Sequence, residues 1–319
     1  KEKGNYRYFL EVRKSATHFP RFTYTDAQGE KQSAINWCSN DYLGLSTHES
    51  IMSKMSFTSH LSGAGSGGTR NISGTTNYHL ALEKTVAEWH QKEAALIFNS
   101  AYMANLTALQ TLGRQIPDLL FVSDEKNHAS IIEGMRTSGA EKIIFRHNDV
   151  QHLEEILSSV PAGRPMCVVF ESVYSMNGKV APLRDLATIA KQYGALTYVD
   201  EVHAVGLYGH NGAGIAAMEH ATELIDIING TFSKALGVFG GYIATSVALA
   251  DFVRSFGSGF IFTTSLPPAI CAAATVAIQH VQQDDSERKQ LHALVQTLRQ
   301  QLQLANISFT NNDSHITCI

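Results

Sequence analysis

Apolar and polar positions alternate in blocks along most of this chain. Short runs near 94–98, 119–123, 142–146, 165–170, 195–199, 225–228 and 239–244 are almost wholly apolar. Runs of that length without alternation predict strands buried on both faces. Between them, stretches near 101–112, 128–137, 150–159 and 183–193 carry apolar residues at helical spacing. Strands alternating with helices predict an α/β fold built on a mostly parallel, doubly wound sheet. Before this block, Leu80, Leu82, Val86 and Trp89 share one face of a helix over 77–92, with Thr76 placed to cap it. Pro182 and Gly194 mark a helix start and a helix end. Residues 2–17, alternating charged and aromatic, read as an amphipathic helix, and 34–38 as a short strand. After Pro268 the pattern is helical through 269–282 and 286–304, and a new strand begins at Ile307.

With 319 residues, 44% apolar and 17% charged, the chain has ample material for a globular core. The net charge of −4 is mixed along the sequence, and no basic tract points to nucleic acid or an anionic membrane. Residues 255–283 carry no formal charge, but Gly257, Gly259 and the Pro267–Pro268 pair break the run, so a buried loop followed by a core helix is expected rather than a membrane span. Cys38, Cys167, Cys271 and Cys318 lie far apart, fit no zinc spacing, and read as buried free thiols in a reducing compartment.

Chemistry enters where the strands stop. Lys234 follows the run 225–228 on a short polar turn, and Asp200 closes the run 195–199 with His203 three residues on. The carboxyl ends of strands are where open α/β sheets place their ligands. A lysine that forms a Schiff base with pyridoxal phosphate, and an acid that keeps the pyridine nitrogen protonated, is the chemistry these residue types suit. Ser100, Ala101 and Tyr102 sit at a strand-to-helix junction whose backbone amides can hold a phosphate, and the hydroxyls of Thr231 and Ser233 flank Lys234. His128 starts a helix, and an imidazole there can stack on a ring. Glu171, Ser172 and Ser175 follow another strand end. The glycine-rich stretch 63–76 lacks the Gly-Lys-Ser/Thr ending of a P-loop and has no clear strand before it, so spacing alone makes it an ordinary loop.

Six segments, GSGGTRNISGTT (65–76), NHASIIEGMR (127–136), ESVYSMNG (171–178), DEVHAVGLYG (200–209), GTFSKALGVFGGYIA (230–244) and FIFTTSLPPAI (260–270), resemble in order the motifs of the 5-aminolevulinate synthases. These are α-oxoamine synthases with the fold of aspartate aminotransferase, fold type I. The resemblance runs from about Tyr6 to the end. It implies an N-terminal segment (1–60), a pyridoxal-phosphate-binding large domain (61–283) with a mostly parallel seven-stranded sheet, and the start of a smaller α+β domain (284–319) cut short. It implies a homodimer with shared active sites that condenses glycine with succinyl-CoA, releasing coenzyme A and carbon dioxide to give 5-aminolevulinate, the haem precursor. The bacterial cytoplasm is the expected compartment, or the mitochondrial matrix in a eukaryote.

Residue by residue, the resemblance makes Lys234 the Schiff-base lysine and proton carrier. Asp200 pairs with the ring nitrogen, His203 with the ring hydroxyl and as an acid, and His128 stacks on the ring. Ser175 contacts the cofactor; Ser100, Ala101, Tyr102 and Thr231 hold its phosphate, and Thr263 and Thr264 reach the phosphate of the other subunit. Arg7 binds the succinyl carboxylate with Thr69 and Asn71 beside it, and Asn40, Ser123 and Lys142 contact substrate or coenzyme A. No metal is implied. Two departures stand out: Asn177-Gly178-Lys179 follows Met176 where the family has Asp-Gly-Asp, and Phe232-Ser233 precedes the lysine where the family has Leu-Gly or Leu-Ala. A later family segment, with a threonine and a glycine-binding arginine, has no counterpart within 1–319. The competing readings are another α-oxoamine synthase with a different acyl thioester, and a non-catalytic partner subunit of the same fold. Such subunits typically lose the lysine, which is present here.

Overall fold

The computed structural model describes Arg7 and residues 9–319. Ten strands make two sheets among these residues. A small antiparallel sheet contains β1 (Arg13–Lys14), β2 (Arg21–Thr25) and β3 (Lys31–Ile35), in that order. The main sheet contains β4 (Ala94–Phe98), β5 (Leu120–Asp124), β6 (Glu141–Phe145), β7 (Met166–Glu171), β8 (Leu196–Asp200), β9 (Ile227–Thr231) and β10 (Gly241–Thr245). Its order is β4-β10-β9-β8-β7-β5-β6, with β10 antiparallel to both neighbours and the remaining pairs parallel.

The central strands are apolar throughout because both faces are covered. On one face Val168, Phe170, Val199, Ile228 and Tyr242 pack with Leu82 and Val86 of the helix Asn77–Trp89 and with Leu183 and Leu186 of the helix Leu183–Gln192. On the other, Cys167, Val169, Tyr198, Ile227 and Ile243 pack with Ala108 and Leu112 of the helix Ala101–Gln115 and with Ile131 of the helix Ala129–Ser138. The period-two alternation of side chains thus distributes one apolar run between two cores. The helix Pro268–Gln283 joins the first core through Cys271, Ala274 and Ile278, which makes it the core helix expected after the broken run. No helix among the described residues is long and apolar enough to cross a membrane.

Four expectations are corrected. Residues 1–6 and 8 lie outside the described residues. Over 9–17 the chain forms β1 and the start of a short 3-10 turn, Ala16–His18, instead of an amphipathic helix. There Arg13 and Lys14 pair with Thr23 and Phe22, so backbone pairing with β2 takes the place of a helix. The strand expected at 34–38 is β3, shifted upstream, where it finds a partner in β2. No strand forms after Ile307. With no neighbour to pair, the loop is held by Arg299, which donates to the carbonyls of Asn312 (2.8 Å) and Ser314 (2.7 Å). Of the four free thiols, only Cys167 and Cys271 are buried, while Cys38 is exposed.

Candidate active site

Sheet register brings the site together. Phe98 pairs with Gly241, and Gly241 pairs with Thr231, so the ends of β4 and β9 and the start of β10 share one row. Asp200 stands beside Glu171 of β7 and Asn229 of β9. A Cβ on Gly241 would come within 2.2 Å of the Ala101 nitrogen, so only glycine lets the helix Ala101–Gln115 begin this close to the sheet. Above this row lies a cavity of about 260 Å³, lined at one end by Ser100, Ala101, Tyr102, Thr231 and Ser233. Lys234, His203, Asp200, His128 and Asn105 line it as well. Lys234 and Asp200 therefore face one shared space.

Lys234 Nζ lies 2.7 Å from His203 Nε2. Tyr42 Oη lies 2.9 Å from His203 Nδ1, and donates to Asn40 Oδ1 at 3.2 Å. These partners assign one tautomer. The lysine donates to Nε2, Nδ1–H donates to the tyrosine oxygen, and the tyrosine proton goes to Asn40. Burial, aided by the charge of Lys234, pushes the His203 pKa down to about 3, so the ring is neutral at physiological pH. Burial also lowers the pKa of Lys234, against the pull of Asp200 and Glu171. Burial, together with the neighbouring Asp200, raises the Glu171 carboxyl well above the usual range.

Asp200 is held from behind. Asn105 Nδ2 donates to its Oδ2 at 2.7 Å, and the Val202 N–H donates to its Oδ1 at 2.9 Å. Tyr198 in turn donates to Asn105 Oδ1 at 2.8 Å, and Asn105 Nδ2 also reaches Ser130 Oγ at 2.9 Å. At the other end Ser100 caps its helix by accepting from the Met103 N–H at 3.1 Å, leaving the first amides of the helix at the cavity. Thr231 Oγ1 lies 2.8 Å from Ser233 Oγ and donates to the Gly240 carbonyl at 3.0 Å. A helix N-terminus beside two hydroxyls is a donor set for an anion, and an amine beside a buried acid suits an aldehyde on a basic ring. The cavity fits pyridoxal phosphate on both counts.

His128 lines the cavity from its helix start, where it is exposed and meets the Tyr102 ring edge-on, centroids 6.2 Å apart. Other expected residues lie apart. Ser175, half-buried beyond β7, does not line the cavity. Thr263 and Thr264 line a different pocket, with Arg70, His79 and Asn99. Thr69 donates to Asn71 at 2.5 Å, and Arg7 is exposed. Ser123 is buried against Asn127, and Lys142 is exposed on β6. The glycine-rich loop is pinned by backbone: the Gly74 N–H donates to the Thr69 carbonyl at 2.8 Å, and the Ser265 N–H to the Gly68 carbonyl at 3.0 Å. Arg70 fixes it further through two bonds to Glu83, at 2.7 and 2.9 Å.

Sequence reasoning missed Asn105, Tyr42 and His315. Asn105 is one turn beyond Ala101 on the same helix face, a spacing that could have flagged it. His315 gave no local signal: it comes from the C-terminal loop, packs its ring edge on Tyr42 with centroids 4.4 Å apart, and lies 2.9 Å from Tyr208 Oη.

The sequence profile of the aminotransferase class I and II family matches residues 32–319. 5-Aminolevulinate synthase 1 of Cereibacter sphaeroides is 47% identical over 313 residues, which cover 98% of this chain and 77% of that protein. The mitochondrial 5-aminolevulinate synthase of Schizosaccharomyces pombe is 47% identical over 315 residues, covering 98% of this chain and 56% of that one. Among solved structures, a serine palmitoyltransferase from S. paucimobilis with a bound PLP–myriocin aldimine superposes with a TM-score of 0.84 at 30% identity, covering 90% of this chain and 73% of that chain. On sequence, fold and site alike, this chain belongs to the class I and II aminotransferase family and, within it, to the 5-aminolevulinate synthases.

Proposed function

We propose that this chain condenses glycine with succinyl-CoA, releasing coenzyme A and carbon dioxide to give 5-aminolevulinate, the haem precursor, with pyridoxal phosphate as cofactor. The observation that carries the reading is the single cavity shared by Lys234, His203 and Asp200 at one end and by the helix start at Ser100 with Thr231 at the other. When bound, pyridoxal phosphate supplies an aldehyde that condenses with amines and a ring that stores carbanion charge. Ser100, Ala101, Tyr102 and Thr231, which line one end of the cavity, would hold its phosphate. Asp200, oriented by Asn105, would pair with its ring nitrogen, and His128 and Ser175 would contact the ring.

Lys234 moves the proton at the glycine α-carbon. Its lowered pKa makes the free amine available as a base nearer neutral pH. His203 accepts from Lys234 at Nε2 while Tyr42 and Asn40 take up its other side, so proton movement at the lysine has a hydrogen-bonded outlet of three side chains. At about 260 Å³ the cavity sits near the lower edge of ligand sites, about 300–1,000 Å³. It suits one ring and its phosphate, so the thioester approaches from outside, where Arg7, Asn40, Thr69, Asn71, Ser123 and Lys142 are assigned to the acyl-CoA.

The remaining assignments follow the family. Two chains pair, and Thr263 and Thr264 complete the phosphate site of the partner. Their position in a pocket separate from the cavity supports that division. Residues 61–283 form the cofactor-binding domain, and 284–319 belong to a smaller one. The enzyme works in the bacterial cytoplasm or the mitochondrial matrix.

Glycine offered with a panel of acyl-CoA thioesters, scored for released coenzyme A, tests the reading. Succinyl-CoA is expected to be favoured, and a preference for a long-chain thioester would transfer the chain to another α-oxoamine synthase activity. Arg7→Leu is expected to raise the KM for succinyl-CoA with cofactor binding intact. Unchanged succinyl-CoA kinetics would remove Arg7 from the site.

A further inference from the structure

Away from the cavity, three metal-ligating side chains from three separate elements converge. His48 immediately precedes the helix Glu49–Ser62, His280 lies in the last turn of the helix Pro268–Gln283, and Glu287 lies in the first turn of the helix Ser286–Leu304. One ligand atom from each lies within 4.8 Å of the others. The two imidazole rings are 4.5 Å apart between centroids, and His280 Nε2 is 2.9 Å from Glu287 Oε1. We propose that His48, His280 and Glu287 bind one divalent transition-metal ion, Zn²⁺ by ligand type.

Geometry and chemistry both support the assignment. A tetrahedral ion with bonds of about 2.0–2.1 Å holds its ligand atoms about 3.3 Å apart. Reaching that spacing takes small side-chain rotations: the His280–Glu287 pair opens by a few tenths of an ångström and His48 closes in. Two imidazoles and a carboxylate are a ligand set that suits zinc, and the set leaves a fourth position for water. The outward sides of two ligands are already engaged. Ser50 Oγ lies 2.9 Å from His48 Nδ1, which leaves Nε2 as the coordinating nitrogen, and Ser286 Oγ donates to Glu287 Oε2 at 3.2 Å. Such partners fix the tautomer and direction of metal ligands. All three residues are half-buried, shielded enough to strengthen a charge interaction and open enough to admit an ion. Binding releases the proton that His280 Nε2 shares with Glu287.

The elements joined are informative. The helix Glu49–Ser62 packs on Pro268–Gln283, and Glu287 lies in the first turn of the next helix, which is separated from that one by residues 284–285 alone. An ion here would tie the first helix of the body to the junction at 283–286 and restrict how the helix Ser286–Leu304 leaves it.

The cofactor-loaded protein, stripped with a chelator and dialysed, is titrated with ZnCl₂ by calorimetry, and its melting temperature is followed in parallel. One equivalent per chain and a raised Tm are expected. His280→Ala and His48→Gln should each weaken binding by about 10-fold or more, since even losing a partner of a metal ligand costs about 10–100-fold. Both variants should keep the wild-type far-ultraviolet spectrum and bound cofactor, because neither residue lines the cavity. No heat of binding in the wild type, or an unchanged Zn²⁺ titration in both variants, overturns the site and leaves the cluster as a hydrogen-bonded contact between helices.

Discussion

The two ends of the cavity are built by different means. At the Ser100–Thr231 end the donors are helix-start amides and hydroxyls, set by where β4, β9 and β10 stop and by a glycine that lets a helix approach. At the Lys234–Asp200 end the groups are ionisable side chains, buried or half-buried, and are placed by residues far off in sequence: Asn105 for the acid, Tyr42 for the imidazole. A backbone-built end binds through many weak donors and tolerates the loss of one. An end built from a few buried charged groups concentrates its function in single atoms. The first kind of end should govern affinity and the second turnover.

Removing the amine should show the contrast at its largest. Lys234→Ala is expected to lower kcat by more than about 10³-fold, since it deletes both the covalent anchor and the proton carrier. Cofactor should still bind through the opposite end, but borohydride should no longer fix it to the chain. Residual turnover within tenfold of wild type would show that the titrating end does not carry the chemistry.

Asn105→Ala comes next. It removes a 2.7 Å bond to a carboxylate and leaves the Tyr198 hydroxyl without its acceptor. A hydrogen bond to a charged group contributes about 1.5–3 kcal/mol, so kcat is expected to fall about 10–100-fold. The absorption spectrum of bound cofactor should differ from wild type, because Asp200 loses the donor that orients it. An unchanged spectrum together with unchanged kcat would reduce Asn105 to a packing residue.

What the sequence revealed follows the same division. The seven strands of the main sheet were legible because burial on both faces turns each into a short apolar run. Ser100, Asp200 and Lys234 were legible because strand ends in such sheets are where ligands sit. The residues that aim them were not: Asn105 lies inside a helix, Tyr42 in an early loop and His315 in the last loop, and only folding brings the three near the cavity. Of the small sheet only β3 was legible, as the strand expected at 34–38. β2 alternates exposed and half-buried positions and β3 is mostly exposed, so neither shows an apolar run. The strand expected after Ile307 had the right residue types and no neighbour; propensity without a pairing edge does not make a sheet.

Acidification separates the two ends without touching turnover, because only one of them titrates. Burial first, then Lys234, holds His203 near a pKa of about 3 in the folded chain, against 6.5 when unfolded. Below pH 6.5 the unfolded chain therefore binds a proton that the folded chain refuses. Stability must rise with pH across that window and be lost as pH falls from about 6.5 towards 3. The loss from this residue is about 1.4 kcal/mol for each pH unit below 6.5. His203→Gln, which cannot titrate, should reduce the acid-induced drop in unfolding free energy of the cofactor-free protein by about that amount at pH 5.5. Denaturant titrations at pH 7.5 and 5.5 measure it. Equal acid sensitivity in the two proteins would mean that His203 is not held neutral by its surroundings.

Thr231→Val tests the other end and should have the smallest effect. The change keeps the shape of a buried side chain and removes one hydroxyl that donates to the Gly240 carbonyl and lies 2.8 Å from Ser233 Oγ. One neutral hydrogen bond contributes about 0.5–1.5 kcal/mol, so cofactor affinity should weaken only about 3–10-fold. Ser233 and the helix amides at Ser100 remain to hold the anion. At saturating cofactor kcat should be unchanged, because no proton passes through this end. If kcat fell instead while affinity held, Thr231 would be acting on Lys234 through the intervening turn. The two ends would then be one coupled unit, and the division of labour between backbone and buried charge would fail.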